Sequence, residues 1–192
     1  LVQGDVGSGK TVVAAIAMFA AALAKRQAIF MVPTEILAKQ HYETLQKLYE
    51  PFGVRVALLT GSTPKPERRE LVRALAAGEY QVIVGTHALF GRDVIYHRLS
   101  LVVTDEQHRF GVAQRTMAAA KGEMPHTLVM SATPIPRSLA LVLYADLDIS
   151  VINELPKGRR PVKTRIVSGY KRNDMYGFVR EQIREGNKCY VV

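Results

Sequence analysis

The chain has 192 residues, 48% of them hydrophobic and 22% charged, with a formal net charge of +9. This composition supports one domain with a true core, or one and a fraction, and excludes a disordered chain. A single cysteine, Cys189, excludes an internal disulfide and suits a reducing compartment.

Leu1-Val2-Gln3 reads as the tail of a strand, so the sequence reads as a fragment whose targeting is undetermined. Gly4-Asp5-Val6-Gly7-Ser8-Gly9-Lys10-Thr11 follows with phosphate-loop spacing: a glycine, four free residues, Gly-Lys, then Ser or Thr. Glycines let the backbone take positive φ and turn several N–H groups toward phosphate oxygens. Lys10 can reach the β- and γ-phosphates, and the Thr11 hydroxyl can ligate Mg²⁺. A helix opening at Thr11 faces its positive end to the phosphates.

Thr11 to Lys25 is Ala-rich and apolar on nearly every face, which predicts a helix buried against a sheet. Lys10, Lys25 and Arg26 bracket a span too short to cross a membrane. Ala28 to Val32 is a continuous apolar run ended by Pro33, as in a parallel strand covered on both sides. Thr34 can cap the next helix, with Leu37, His41, Leu45 and Leu48 on one stripe. Val54 to Leu59 is the next strand, closed by Thr60-Gly61-Ser62, and Pro64 to Ala77 is a charged helix stopped at Gly78. Strands follow at Gln81–Val84, Leu101–Thr104 and Leu128–Met130, with a short helix from Pro134 to Leu143 and a strand over Asp148–Ile152. Strands alternating with helices predict a parallel α/β sheet.

Pro156 to Pro161 is breaker-rich and basic, a predicted linker. Beyond it, Val162–Val167 alternates as a strand, Asn173–Glu185 reads as a helix, and Lys188–Val192 starts another strand. Charge is uneven: residues 1–155 hold 16 Lys and Arg against 14 Asp and Glu, whereas residues 156–192 hold 10 against 3. Two readings stay open for the basic segment, a phosphate-facing surface and a solvated linker.

Every candidate motif falls at the C-terminal end of a predicted strand, where open parallel sheets place their ligands. Asp105 is the candidate carboxylate for the metal, through water, and adjacent Glu106 can orient and deprotonate an attacking water. Asp105-Glu106-Gln107-His108, with Ser131-Ala132-Thr133 further on, resembles the motor core of superfamily 2 helicases and translocases. More closely, the phosphate loop, Pro33 to Ala38, Gly85 to Phe90, Asp105 to Val112, Ser131 to Arg137 and Asp146 through Arg159 resemble the RecG family of bacterial ATP-dependent DNA helicases. The resemblance covers essentially the whole chain. The Mfd translocases are the nearest relatives, but they usually carry Asp-Glu-Glu-His where Gln107 stands. Departures from the RecG pattern are Thr104 for an aliphatic residue, Ser138 for Thr and Asn153 for Asp, and none removes a catalytic group.

The resemblance implies a RecA-like P-loop NTPase fold, a parallel sheet with helices on both faces. Residues 1–155 would form the first motor lobe, 156–161 a linker and 162–192 the truncated start of a second lobe. It implies ATP and Mg²⁺ as cofactors, with residues Gly4 to Thr11, Gln107 and His108 at the nucleotide and Thr11 and Asp105 at the metal. Lys10, Asp105 and Glu106 are the expected catalytic groups. Ser131 and Thr133 would couple nucleotide state to DNA binding, and Pro33, Thr34, Gly61, Thr86 and His87 lie in segments that grip the DNA backbone. Thr34 also fits a plain helix cap, Gly61-Ser62 reads rather as a turn, and His41 and His126 read as structural. The implied partner is branched or forked DNA, gripped without base reading. A monomeric motor in the bacterial cytoplasm is expected, completed by the rest of the second lobe and a wedge domain. No membrane is expected as a partner. The rival readings are an Mfd-like double-strand translocase and a nucleotide-gated DNA-binding module without hydrolysis.

Overall fold

The computed structural model describes residues 1–105, 125–132, 148–154, 162 and 164–190. The expected helix from Pro134 to Leu143, together with Glu106, Gln107, His108 and Thr133, lies outside them. The chain forms two compact units, Leu1–Pro156 and Lys157–Val192.

The first unit is built on a seven-stranded sheet whose registered pairs are all parallel. In chain order the strands are β1 (Val2–Gly4), β2 (Gln27–Met31), β3 (Val56–Leu59), β4 (Val82–Gly85), β5 (Leu99–Asp105), β6 (His126–Ser131) and β7 (Ser150–Ile152). Across the sheet they run β3-β4-β2-β5-β6-β1-β7. Helices α1 (Lys10–Leu23), α2 (Glu35–Tyr49) and α3 (Lys65–Ala76) connect the early strands, and short 3₁₀ turns cover Glu50–Phe52 and His87–Phe90.

Alternation along β2 sorts the core into two layers. Ala28, Phe30 and Val32 pack with Ala14, Met18, Leu45 and Tyr49 from α1 and α2. Ile29 and Met31 pack with Leu75 of α3, Leu59, Ile83 and Leu89. All five residues of β2 are buried, so its uninterrupted apolar run reflects helical cover on both faces. The Tyr49 hydroxyl donates to the Ala15 carbonyl at 2.6 Å and ties α2 to α1. Gln27 opens β2 with a buried amide that meets four backbone groups. Its Nε2 donates to the Leu75 and Tyr80 carbonyls, and its Oε1 accepts from the N–H groups of His97 and Arg98. That side chain holds the end of α3 against the approach to β5.

Three expectations need correction in this unit. α1 begins at Lys10 rather than Thr11, and it is not buried all round. Only Ala14, Ala15, Met18 and Ala22 join Lys10 inside, while Val12, Ile16 and Leu23 stay more than half exposed. A helix resting on one sheet face can hide only the stripe it turns to that face. On α2 the buried stripe ends on Tyr49, with Leu48 exposed.

Among the described residues the second unit holds one helix, α4 (Arg172–Arg184), preceded by a 3₁₀ turn over Gly169–Lys171. No residue of α4 is buried. The strands expected at Val162–Val167 and from Lys188 do not form among the described residues. A strand needs a neighbour for its backbone groups, and none stands beside this segment among the described residues of its unit. Ile166 is accordingly fully exposed.

Gly85 ends β4 opposite Leu59. A Cβ there would overlap the Leu59 carbonyl oxygen. Gly85→Ala is therefore expected to lower stability by about 3 kcal/mol. Gly53→Ala, at φ 68 in open space, should cost only about 1 kcal/mol. Urea unfolding midpoints of the two variants against the parent check this order.

Candidate functional site

A parallel sheet delivers every strand's C-terminal end to one rim, and the sequence motifs are distributed along it in sheet order. β1 runs into the Gly4–Thr11 loop, β6 ends on Ser131 and β5 ends on Asp105, and these three strands adjoin. Gln3 stands opposite Ser131, and Met130 stands opposite Asp105. Strands lie about 4.8 Å apart, so the loop and Asp105, two strands apart, start roughly 10 Å from each other.

The loop has the shape its glycines predict. Gly7 and Gly9 take left-handed conformations, with φ 80 and 96. Gly9 is the N-cap of α1 and no side chain caps that end. The start of α1 thus presents backbone N–H groups and the positive end of its dipole to the loop. At Gly4 a Cβ would meet Ser8 Oγ at 2.6 Å and Ile152 Cβ at 3.1 Å, so the glycine leaves room for the loop to close tightly. Ser8 Oγ is buried without a hydrogen-bond partner among the described residues. Lys10 is 9% exposed, and its Nζ donates to the carbonyls of Gly4 and Asp5, both at 2.8 Å. An orphaned hydroxyl, a glycine cradle and an ammonium held at its mouth fit a polyphosphate.

Asp105 is half-buried, with His41 Nε2 at 3.9 Å from its Oδ2. The His41 ring also packs on Phe30, 4.8 Å between centroids. Burial pushes the His41 imidazole below its ordinary pKa, against the opposing pull of the Asp105 charge. Sequence reasoning gave His41 a structural role. Its place on the α2 stripe was the only signal, and that stripe does not reveal which strand end it meets. Thr104, one residue earlier, is buried with its hydroxyl unpartnered among the described residues, so the polar departure from an aliphatic does not expose the strand.

The other half of the rim belongs to β2, β4 and β3, which also adjoin. Pro33 and Thr34 follow β2 and are exposed, as is His87 after β4. Thr34 caps α2, its hydroxyl accepting from the Leu37 N–H at 3.3 Å. Thr86 is 3% exposed, and its Oγ1 is buried without a hydrogen-bond partner among the described residues. β4 sits between two neighbours, and the first residue past its end is still under their cover. Glu106, Gln107, His108 and Thr133 lie outside the described residues, so the rim is defined here by Lys10, Thr11, Asp105 and Ser131 on one side and Pro33, Thr34 and His87 on the other.

Residues 1–142 match the profile of the DEAD/DEAH box helicase family. The chain belongs to that family. Within it, the chain is 50% identical over 192 residues to the ATP-dependent DNA helicase RecG of Streptococcus pneumoniae, covering all of this chain and 28% of that protein. The RecG of Bacillus subtilis gives the same identity and the same 28% coverage. A solved structure of RecG bound to a three-way DNA junction matches with a TM-score of 0.77 at 46% identity, over 96% of this chain and 25% of that one. The chain thus spans about a quarter of the length of these RecG relatives. Membership establishes the RecA-like helicase fold expected from the motifs. Among the described residues no helix is long and apolar enough to cross a membrane.

A ligand that binds only the folded loop raises the melting temperature by mass action. Inorganic tripolyphosphate is expected to do so here, and Lys10→Ala to remove most of the shift. Differential scanning fluorimetry across a tripolyphosphate titration reads both.

Proposed function

We propose that the chain is the motor core of an ATP-dependent DNA helicase of RecG type, which remodels branched DNA such as forks and Holliday junctions. The observation that carries the reading is the sheet order, which sets the Lys10 loop, Ser131 and Asp105 on three adjoining strand ends. The half-identity to RecG over the full 192 residues supports this type over the Mfd-like one.

In this reading the backbone N–H groups of Gly4 to Thr11 cradle the triphosphate. Lys10 is already held in the loop by two neutral carbonyls. Phosphate oxygens are stronger partners for an ammonium, because the bond is then assisted by charge on both sides. Thr11 and Asp105 would hold Mg²⁺, Asp105 through water. When bound, the ion neutralises charge on the β- and γ-phosphates. Glu106 orients the attacking water and takes its proton. Gln107 and His108 link that centre to Ser131 and Thr133, which report nucleotide state to the DNA side of the rim. There Pro33, Thr34 and His87 contact the backbone of one strand. The Thr86 side chain supports the rim from within. Backbone contact carries no base information, as translocation along any sequence requires. Residues 1–155 act as the first lobe, and 162–192 open the second. The intact motor acts as a monomer in the bacterial cytoplasm.

In the intact protein, Glu106→Gln is expected to keep ATP affinity within about threefold while DNA-stimulated hydrolysis falls at least a hundredfold. Equilibrium binding of a fluorescent ATP analogue and a steady-state phosphate-release assay with forked DNA measure the two separately. Joint loss of affinity and turnover would instead make Glu106 structural, and unchanged turnover would remove the hydrolytic reading.

A further inference from the structure

Glu35 is the first residue of α2 and stands at the rim directly after Pro33 and Thr34. Its carboxylate leaves its own strand end and reaches the turn after β3. Oε1 accepts from the Ser62 N–H at 2.9 Å, and Oε2 accepts from the Ser62 hydroxyl at 2.7 Å. In sheet order β4 lies between β2 and β3, so the contact joins loops that follow the two strands flanking β4, the strand that Thr86 and His87 follow.

The turn it grips is itself tied down. Thr60 is buried, its N–H donates to Thr63 Oγ1 at 3.1 Å, and its hydroxyl lies 3.0 Å from Ser62 Oγ. Glu35 therefore holds a preformed turn rather than a loose loop. Hydrogen bonds from the Ser62 side chain and backbone hold its carboxyl below the usual value, so the strap is ionised at neutral pH. Its negative charge also sits in the first turn of α2, where the helix dipole favours it.

We infer that Glu35 is a positioning residue for DNA binding, a strap that joins the turn after β3 to the start of α2 so that three neighbouring strand ends present one backbone-gripping surface. The inference rests on the DNA-motor reading above. It gives the Thr60–Thr63 turn, whose Gly61 the sequence resemblance already placed near the DNA backbone, a fixed position relative to Pro33 and Thr34. Without the strap, the turn is free to shift against Pro33, Thr34 and His87, and the three loops no longer match the spacing of phosphates along a strand.

The test uses the intact protein with Glu35→Ala, Glu35→Gln and Ser62→Ala. The readouts are the forked-DNA concentration for half-maximal ATPase, kcat, and affinity for a fluorescent ATP analogue. Glu35→Ala should raise the half-saturating DNA concentration about tenfold, with kcat and nucleotide affinity within twofold of the parent. Glu35→Gln should recover most of the loss, because an amide can accept from the Ser62 N–H and donate to its hydroxyl oxygen. Ser62→Ala, which keeps the backbone bond alone, should fall between them and serves if Glu35→Ala does not fold. An unchanged half-saturation, a Gln variant as weak as Ala, or tighter DNA binding on loss of the carboxylate would each overturn the strap. The last result would mean that Glu35 only competes with phosphate for the Ser62 donors. Failure of the parent protein to respond to DNA would instead remove the DNA-motor reading itself.

Discussion

The constraint on which this structure depends is the uniform direction of its strands. Parallel strands cannot be joined by tight hairpins, so each connection must cross a sheet face, usually as a helix. Each strand therefore empties into a loop on the same rim, and each loop is free to carry chemistry because the sheet beneath it is rigid. The fully buried β2 at the centre supplies much of that rigidity, with α1 and α2 on one side and α3 on the other.

Sheet order then divides the rim. The phosphate loop, Ser131 and Asp105 fall on β1, β6 and β5, whereas the exposed Pro33, Thr34 and His87 fall on β2 and β4. β5 and β2 are neighbours, so the boundary between the halves runs between Asp105 and the start of α2. α2 touches both. Its first residue reaches Ser62 on the β3 side, and His41, two turns along, faces Asp105. α2 therefore makes one contact with each half of the rim.

Glycine has two separate uses along the rim. In the phosphate loop, Gly7 and Gly9 supply backbone conformations that other residues rarely adopt. At Gly85 the conformation is ordinary, and the demand is for space beside the Leu59 carbonyl. The two look alike in the sequence and differ in what a substitution would do.

The phosphate loop, the strand ends and the parallel α/β class were legible in the sequence because they depend on local order: glycine spacing, apolar runs and their breakers. Boundaries moved by a residue or two, as at Lys10 and Val56, where fraying is a matter of backbone bonds rather than residue type. What could not be read was anything set by a partner distant in the chain. The exposed face of α1, the buried Thr86 hydroxyl, and the Gln27 amide with its four backbone contacts all follow from which neighbours stand alongside. His41 and Glu35 belong to the same group, since residues 41 and 105, or 35 and 62, meet only through the sheet order. The amino-acid sequence alone determined which loops carry the candidate motifs, because those motifs are particular residues at fixed local spacing. Tertiary structure alone decided which loops stand side by side, because strand neighbours are chosen by burial across the whole sheet.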